Sequence, residues 1–291
     1  MQSSKMMNQS RIFSVVLGAG MLLAGSCFAQ VGLKIGLVSE VTSIKPGQPF
    51  HVGLFIQHEK GWHTYWKQPG VVGVPIGISW TLPEGFKAGE LEFPEPQRVL
   101  MYQIKAQGYE RDVLVACAIT PPATLPDGAR ITLAGKASWM CCANTCHPGF
   151  KDLTLDLTAR KDGGDFDPAW RPVFERERAT FPRGSDAWAA EAVQDTKAVT
   201  LTLKPASGAA RKLTAEEAAK IIFFTEDGWI HTDLPQTVEM KPDGCIVMTL
   251  PVSDVYLGEK PPSALHGIVW HPDGWLSDQR LASMRIAPRF Q

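Results

Sequence analysis

The chain has 291 residues, enough for two domains of ordinary size, and its 29 basic against 30 acidic residues leave a formal charge of −1. No long run of one sign occurs, which excludes the basic footprint of a nucleic-acid binder and offers no patch for an anionic membrane. Hydrophobic residues make up 44%, enough for packed cores, and nine tryptophans with 22 prolines suit a β-rich, turn-rich protein.

Residues 1–29 read as a signal peptide. Lys5 and Arg11 form a basic start, residues 12–25 are apolar or small, and Ser26-Cys27-Phe28-Ala29 offers small residues for cleavage after Ala29. The apolar run is too short to span a bilayer comfortably. A lipoprotein would instead use Cys27, but Ala24 stands where a larger aliphatic residue is usual. No later stretch is apolar enough to cross a membrane, so the mature chain is expected to be exported to the periplasm without an integral membrane segment. Cysteines tend to pair in an oxidising compartment. Without Cys27 there remain Cys117, Cys141, Cys142, Cys146 and Cys245, an odd set that leaves at least one thiol free or paired with another molecule.

Residues 31–41 and 50–57 alternate as strands around the turn Lys45-Pro46-Gly47-Gln48-Pro49. An aromatic stretch, Gly61-Trp62-His63-Thr64-Tyr65-Trp66, follows and is broken by Pro69-Gly70. Residues 76–82 read as a strand. Residues 91–98 carry Pro94 and Pro96 and are excluded from a sheet centre. Residues 112–120 and 129–140 are two long apolar strands, and 153–158 alternate once more. Short strands at this spacing, with Pro/Gly turns, predict an immunoglobulin-like β-sandwich over residues 30–162 that folds by itself.

Lys161-Asp162-Gly163-Gly164-Asp165 is polar and glycine-rich and marks the expected domain boundary. Residues 163–291 then predict a smaller β-rich α+β domain. In it, 168–178 and 186–194 read as short helices, the first interrupted by Pro172, and Thr214-Ala215-Glu216-Glu217 is a capping box. Strands are expected at 199–203, 221–224, 229–232, 245–250, 265–270 and 281–286. The chain is thus mainly β.

The chemistry concentrates in Trp139-Met140-Cys141-Cys142-Ala143-Asn144-Thr145-Cys146-His147-Pro148. If Cys142 ends one strand and Cys146 begins the next, the two face each other across a three-residue loop at a separation that suits a disulfide. Cys141 points to the other face, into the core and towards Cys117. So short a loop stabilises a fold by only about 2 kcal/mol, whereas it carries two electrons well if partners reach it. A structural disulfide remains the plain alternative. Cys141, Cys142, Cys146 and His147 are also thiolate and imidazole ligands suited to Cu(I) or Zn, although neighbouring strand residues diverge. No thioredoxin-type Cys-x-x-Cys occurs. His147, if protonated, would lower the thiol pKa of Cys146, though its side chain is expected to face away. His63, Tyr65, Trp66, Lys67 and Tyr109 are candidates to line a cysteine pocket, with core packing as the alternative. Cys245 reads as a buried thiol in a separate domain from Cys117, and the two are not expected to pair.

Trp62-His63-Thr64-Tyr65-Trp66-Lys67-Gln68-Pro69-Gly70, Gly73-Val74-Pro75 and Ile78-Ser79-Trp80 resemble the N-terminal periplasmic domain of the DsbD thiol:disulfide interchange family, in its copper-sensitivity suppressor (ScsB-like) branch. So do Phe93-Pro94-Glu95-Pro96-Gln97-Arg98, Gly108-Tyr109-Glu110 and the cysteine stretch itself. More loosely, residues 222–230 and 265–269 resemble the second periplasmic segment of that branch. The resemblance implies a sandwich whose cysteine pair, here Cys142 and Cys146, passes reducing equivalents to or from thioredoxin-like periplasmic partners, with no bound cofactor. It also implies that Cys146 forms the mixed disulfide and Cys142 resolves it. Neither membrane helices nor a thioredoxin-like domain follow in this sequence, so the membrane electron donor is expected to be a separate protein. Cys141 stands where the family more often has an aliphatic residue. A scaffold module with a structural disulfide, or a copper-handling protein, are the other classes this sequence allows.

Overall fold

The structure is a computed structural model that describes residues 31–291; the expected leader and Cys27 lie outside the described residues. The first strands are β1 (Leu33–Ser39), β2 (Ser43–Ile44), β3 (Phe50–His58), β4 (His63–Tyr65), β5 (Gly77–Thr81) and β6 (Lys87–Glu92). They are followed by β7 (Gln97–Met101), β8 (Ile104–Tyr109), β9 (Val113–Thr120), β10 (Arg130–Cys142) and β11 (Cys146–Ala159). One sheet has the order β1-β3-β9-β6; the other runs β2-β11-β10-β4-β8-β7, with β5 also on β10. Residues 91–98 form no central strand: Pro94 and Pro96 lie between the end of β6 and the start of β7, and both of those strands are sheet edges.

Burial explains the sequence pattern of this sandwich. Val113, Val115, Cys117 and Ile119 of β9 face the opposing sheet, against Leu133, Ala137, Trp139 and Leu153 of β10 and β11. Leu114 and Ala116 point the other way and are buried under Phe174. A strand covered on both faces reads as an unbroken apolar run, which is what Val-Leu-Val-Ala-Cys-Ala-Ile is. The cover is helix α1 (Arg171–Arg178), whose Trp170 stacks edge-on to Phe55 at 5.2 Å. Pro172 opens this helix rather than interrupting it, because a proline in the first turn gives up no intrahelical hydrogen bond. Burying Phe174 is worth about 2 kcal/mol. Arg111 and Arg178 anchor the same helix region, to Glu177 at 2.7 Å and to Glu40 at 2.9 Å.

The remaining elements are β12 (Trp188–Gln194), β13 (Ala198–Pro205), α2 (Ala215–Ala218), β14 (Ile222–Thr225), β15 (Thr237–Met240), β16 (Ile246–Pro251), β17 (Gly267–Trp270) and β18 (Ser283–Ile286). They form a sheet β12-β13-β16-β15 and a sheet β14-β17-β18. Leu201, Leu203, Met248 and Leu250 from the first pack with Phe223, Val269 and Met284 from the second, around Trp188, Trp229 and Trp275. The capping box at Thr214 forms as expected and opens α2.

Two further expectations fail here. Residues 186–194 were expected to be helical, but they form β12, paired along its whole length with β13. Alanine favours the helix locally, yet Trp188 and Ala192 sit two strand repeats apart and both enter the core, so tertiary packing decides. Residues 229–232 make only a single bridge, Ile230 to Val252, rather than a strand. The two halves share apolar surface, since Phe224 and Ile268 belong to the same cluster as Trp66, Tyr109 and Cys141.

Candidate functional site: a hairpin disulfide on the outer face of a sheet

β10 and β11 form one long hairpin, and its register places Cys142 directly opposite Cys146. Ala143-Asn144-Thr145 close the loop, with the Ala143 N–H donating to the Thr145 carbonyl at 3.1 Å. Cys142 and Cys146 are joined by a disulfide, with their Cα atoms 4.2 Å apart. Among the described residues Cys117, Cys141 and Cys245 are free thiols, so Cys117 and Cys245 are not paired.

Strand parity then sorts the neighbours. Cys142 pairs with His63 and Cys141 with Thr64 across β4. His63, Tyr65, Cys142 and Cys146 therefore share the outer face. There Cys142 is wholly buried among Tyr65, Val99 and Ala106, with Val72, Met101 and Met140 at the margin; Cys146 is half-buried. Cys141 occupies the inner face, as parity requires, but not beside Cys117. Cys141 packs with Trp66, Trp139 and Tyr109, whereas Cys117 lies in a second cluster with Val52 and Leu133.

Of the candidate lining residues, Tyr65 reaches the disulfide and His63 reaches Tyr65. Tyr65 donates its hydroxyl proton to Cys142 Sγ at 3.2 Å, and its oxygen lies 3.3 Å from His63 Nε2. The tautomer with a proton on Nε2 lets both hydrogen bonds form at once. Trp66 and Tyr109 do not line the site. They alternate to the inner face, where Tyr109 donates to the Pro94 carbonyl at 2.8 Å. Lys67 is occupied by Glu226 at 2.6 Å. His147 also turns away from the disulfide: it pairs with Cys141 across the hairpin, stacks near Trp62 at 5.6 Å and meets Thr145 Oγ1 at 2.8 Å. The ligand set Cys141, Cys142, Cys146 and His147 is therefore split between two faces. Among the described residues no group of three or more His, Cys, Asp or Glu side chains is placed to hold a metal. Cys245 is half-buried rather than buried and precedes β16 instead of lying in it.

Burial governs the protonation states around the pair. It pushes the Tyr65 hydroxyl up to about 12, with the Cys141 thiol adding to the effect, so Tyr65 remains a donor. It pushes Cys141 itself to about 12, with Glu59 adding to the shift. That thiol is a poor nucleophile as well as an enclosed one. His63 is lowered to about 4 by burial and by nearby His58, so its imidazole is neutral.

Two further parts of the site are brought in by the fold. The β7–β8 hairpin turns at Tyr102, which adopts φ 54° without the Gly or Asn such a turn favours. It sets Met101 Sδ 3.2 Å from Cys146 Sγ, and Tyr102 donates to the Asn144 carbonyl at 2.6 Å. The loop before β5 lies on Tyr65: Gly73 has φ +102°, and a Cβ there would sit 2.3 Å from the tyrosine ring. Only glycine allows that approach.

Fold and site together define an immunoglobulin-like β-sandwich carrying a disulfide at a hairpin tip, half-covered by neighbouring loops. Residues 37–158 match the family model described as thiol:disulfide interchange protein DsbD, N-terminal. The N-terminal periplasmic domain of ScsB from Proteus mirabilis has a similar structure, with a TM-score of 0.62 at 18% identity over 89% of this chain and 94% of that one. That likeness extends across both halves of the chain and concerns the fold. The Escherichia coli adhesin FdeC matches with a TM-score of only 0.20 at 14% identity, over 89% of this chain and 64% of that one. A protein of unknown function from Porphyromonas gingivalis W83 gives 0.25 at 11% identity, over 89% and 99%. Neither value is high enough to bear on the architecture. No curated protein sequence matches the chain. Among the described residues no helix is long and apolar enough to cross a membrane.

Proposed function

We propose that this is a periplasmic thiol–disulfide interchange protein, passing reducing equivalents through Cys142 and Cys146 to or from thioredoxin-like partners. The observation that carries the reading is the asymmetry of the disulfide. Cys142 is enclosed and receives a hydroxyl hydrogen bond, while Cys146 is half-buried at the loop exit. Exchange requires in-line attack of a thiolate on an accessible sulfur.

In the reducing direction, the Cys146 thiolate attacks a partner disulfide. One S–S bond forms between the proteins, and the partner's other sulfur leaves as a thiolate. Cys142, as thiolate, then attacks Cys146 Sγ. The intramolecular disulfide forms, the mixed disulfide breaks, and the partner departs with two electrons. Run backwards, Cys142 is the leaving group. A hydrogen bond to a thiolate favours the charged form, so the Tyr65 hydroxyl eases that departure. Tyr65 and His63 act on Cys142 without exchanging electrons themselves, and no cofactor is required.

The pre-reduced protein, mixed with an oxidised thioredoxin-like protein, should lose two alkylatable thiols, at Cys142 and Cys146, while Cys117, Cys141 and Cys245 stay unchanged. Mass spectrometry after acid quenching reads this directly. Retention of all five thiols with every such partner would mean that the pair does not exchange with thioredoxin-like proteins, and the proposed function would be wrong.

A further inference from the structure

The C-terminal sheets supply no sulfur to the site, yet they grip the two segments that border it. Gln107 of β8 and Thr225 exchange two hydrogen bonds, Thr225 N–H to Oε1 at 2.8 Å and Nε2 to the Thr225 carbonyl at 2.9 Å. The same amide holds the Gln68 carbonyl at 2.6 Å, and the Gln107 N–H donates to the Pro69 carbonyl at 2.8 Å. Thr232 joins the two segments again. Its hydroxyl receives the Val71 N–H at 3.3 Å and donates to the Lys105 carbonyl at 3.2 Å. Asp233 accepts the Lys105 N–H on its carboxylate at 2.9 Å, and Lys105 Nζ donates to the Asp233 carbonyl at 3.1 Å. His231 Nδ1 accepts the N–H groups of Asp233 and Leu234, both at 3.2 Å, which fixes the gripping turn. Gly70, at φ +100°, lies so close that an added Cβ would fall 2.2 Å from Thr232 Oγ1.

The gripped segments run directly into the cover of the disulfide. Val71 is followed by Val72 and Lys105 by Ala106, both packed in the cluster that holds Cys142, Met101 and Cys146. Ile104, before Lys105, is the cross-strand partner of Met101, whose sulfur touches Cys146. We infer that Thr232 and Asp233 are positioning residues, and that through them the C-terminal region sets how readily an incoming thiolate reaches the Cys142–Cys146 disulfide. Buried polar groups that are fully paired hold one geometry, and local opening is governed by such contacts. This deepens the function proposed above and takes Cys146 as the contact sulfur from it.

The test uses the full chain and needs no protein partner. The second-order rate of disulfide reduction by dithiothreitol is measured alongside the thermal midpoint for wild type and four variants. Thr232→Val keeps the shape and removes both hydrogen bonds, and Asp233→Ala removes the carboxylate acceptor. Each should speed reduction about tenfold, whereas Thr232→Ser and Asp233→Asn, which keep the acceptors, should stay within about twofold of wild type. Unchanged rates in Thr232→Val and Asp233→Ala, with only the thermal midpoint lowered, would overturn the inference and leave a purely structural interface. Because dithiothreitol reduces the bond whatever its biological role, the two readings fail separately. A wild type that exchanges with no thioredoxin-like protein sinks the function, and a flat variant series sinks the latch.

Discussion

Replacing Cys142 with alanine should convert the chain into a trap that accumulates a lasting Cys146 adduct with a thioredoxin-like partner. In the wild type the mixed disulfide is short-lived, because Cys142 lies opposite Cys146 with Cα atoms 4.2 Å apart and attacks it intramolecularly. Without that sulfur, resolution must wait for an external thiol, and a positioned reactant is worth a local concentration many orders of magnitude above any such thiol. Cys146→Ala should trap nothing, since Cys142 is wholly enclosed by Tyr65, Val99 and Ala106. Cys141→Ala should exchange nearly as wild type. Its thiol faces the sandwich interior, and burial pushes it up to about 12. Non-reducing gels with peptide mapping decide the matter. Exchange abolished by Cys141→Ala and preserved in Cys142→Ala would mean that Cys141 is the working partner of Cys146, against the strand parity seen here.

Acid should weaken the fold through His63. Its folded-state pKa is about 4 against an ordinary value of 6.5, owing first to burial and then to His58. Above pH 6.5 the imidazole is neutral in both folded and unfolded chains and the stability is fully present. Between 6.5 and about 4 the unfolded chain binds a proton that the folded site refuses, so stability falls as the pH drops through that window. The loss attributable to a shift of this size is up to about 3 kcal/mol. His58 is lowered as well, chiefly by burial, and adds to the same trend. Denaturant melts at pH 7.5 and pH 4.5 should show the difference, and His63→Gln, which keeps a donor towards Tyr65, should remove most of it. An equal pH dependence in that variant would mean that protonated His63 is accommodated in the folded protein.

What the sequence disclosed follows from which signals are local. The period-two pattern of β10 and the three-residue spacer were enough to oppose Cys142 and Cys146 and to send Cys141 inward. The unbroken apolar run of β9 marked a long strand, and the structure adds why it is unbroken: Phe174 covers its second face. The failures are non-local. Residues 186–194 carry helix-favouring alanines, and only pairing with β13 makes them a strand. The Met101 and Tyr102 hairpin lacks a turn residue at its tip, so its approach to Cys146 left no trace in the pattern. Trp66 and Tyr109 are aromatics that could cover a cysteine pair, but both fall on the inner face, because neighbouring strand residues point to opposite sides of a sheet. Thr232 and Asp233 are ordinary polar residues until folding brings them against Lys105, 127 and 128 residues away.

The central claim, that the Cys142–Cys146 disulfide is an electron carrier, is tested most directly by its midpoint potential. The chain is equilibrated across a glutathione or dithiothreitol series, quenched with acid, alkylated, and each cysteine is quantified by mass spectrometry. A relay pair should titrate as one two-electron couple within the range of thioredoxin-fold proteins, about −120 to −270 mV. A pair that stays oxidised until below about −300 mV would be a structural disulfide, and the account of electron transfer through it would be wrong.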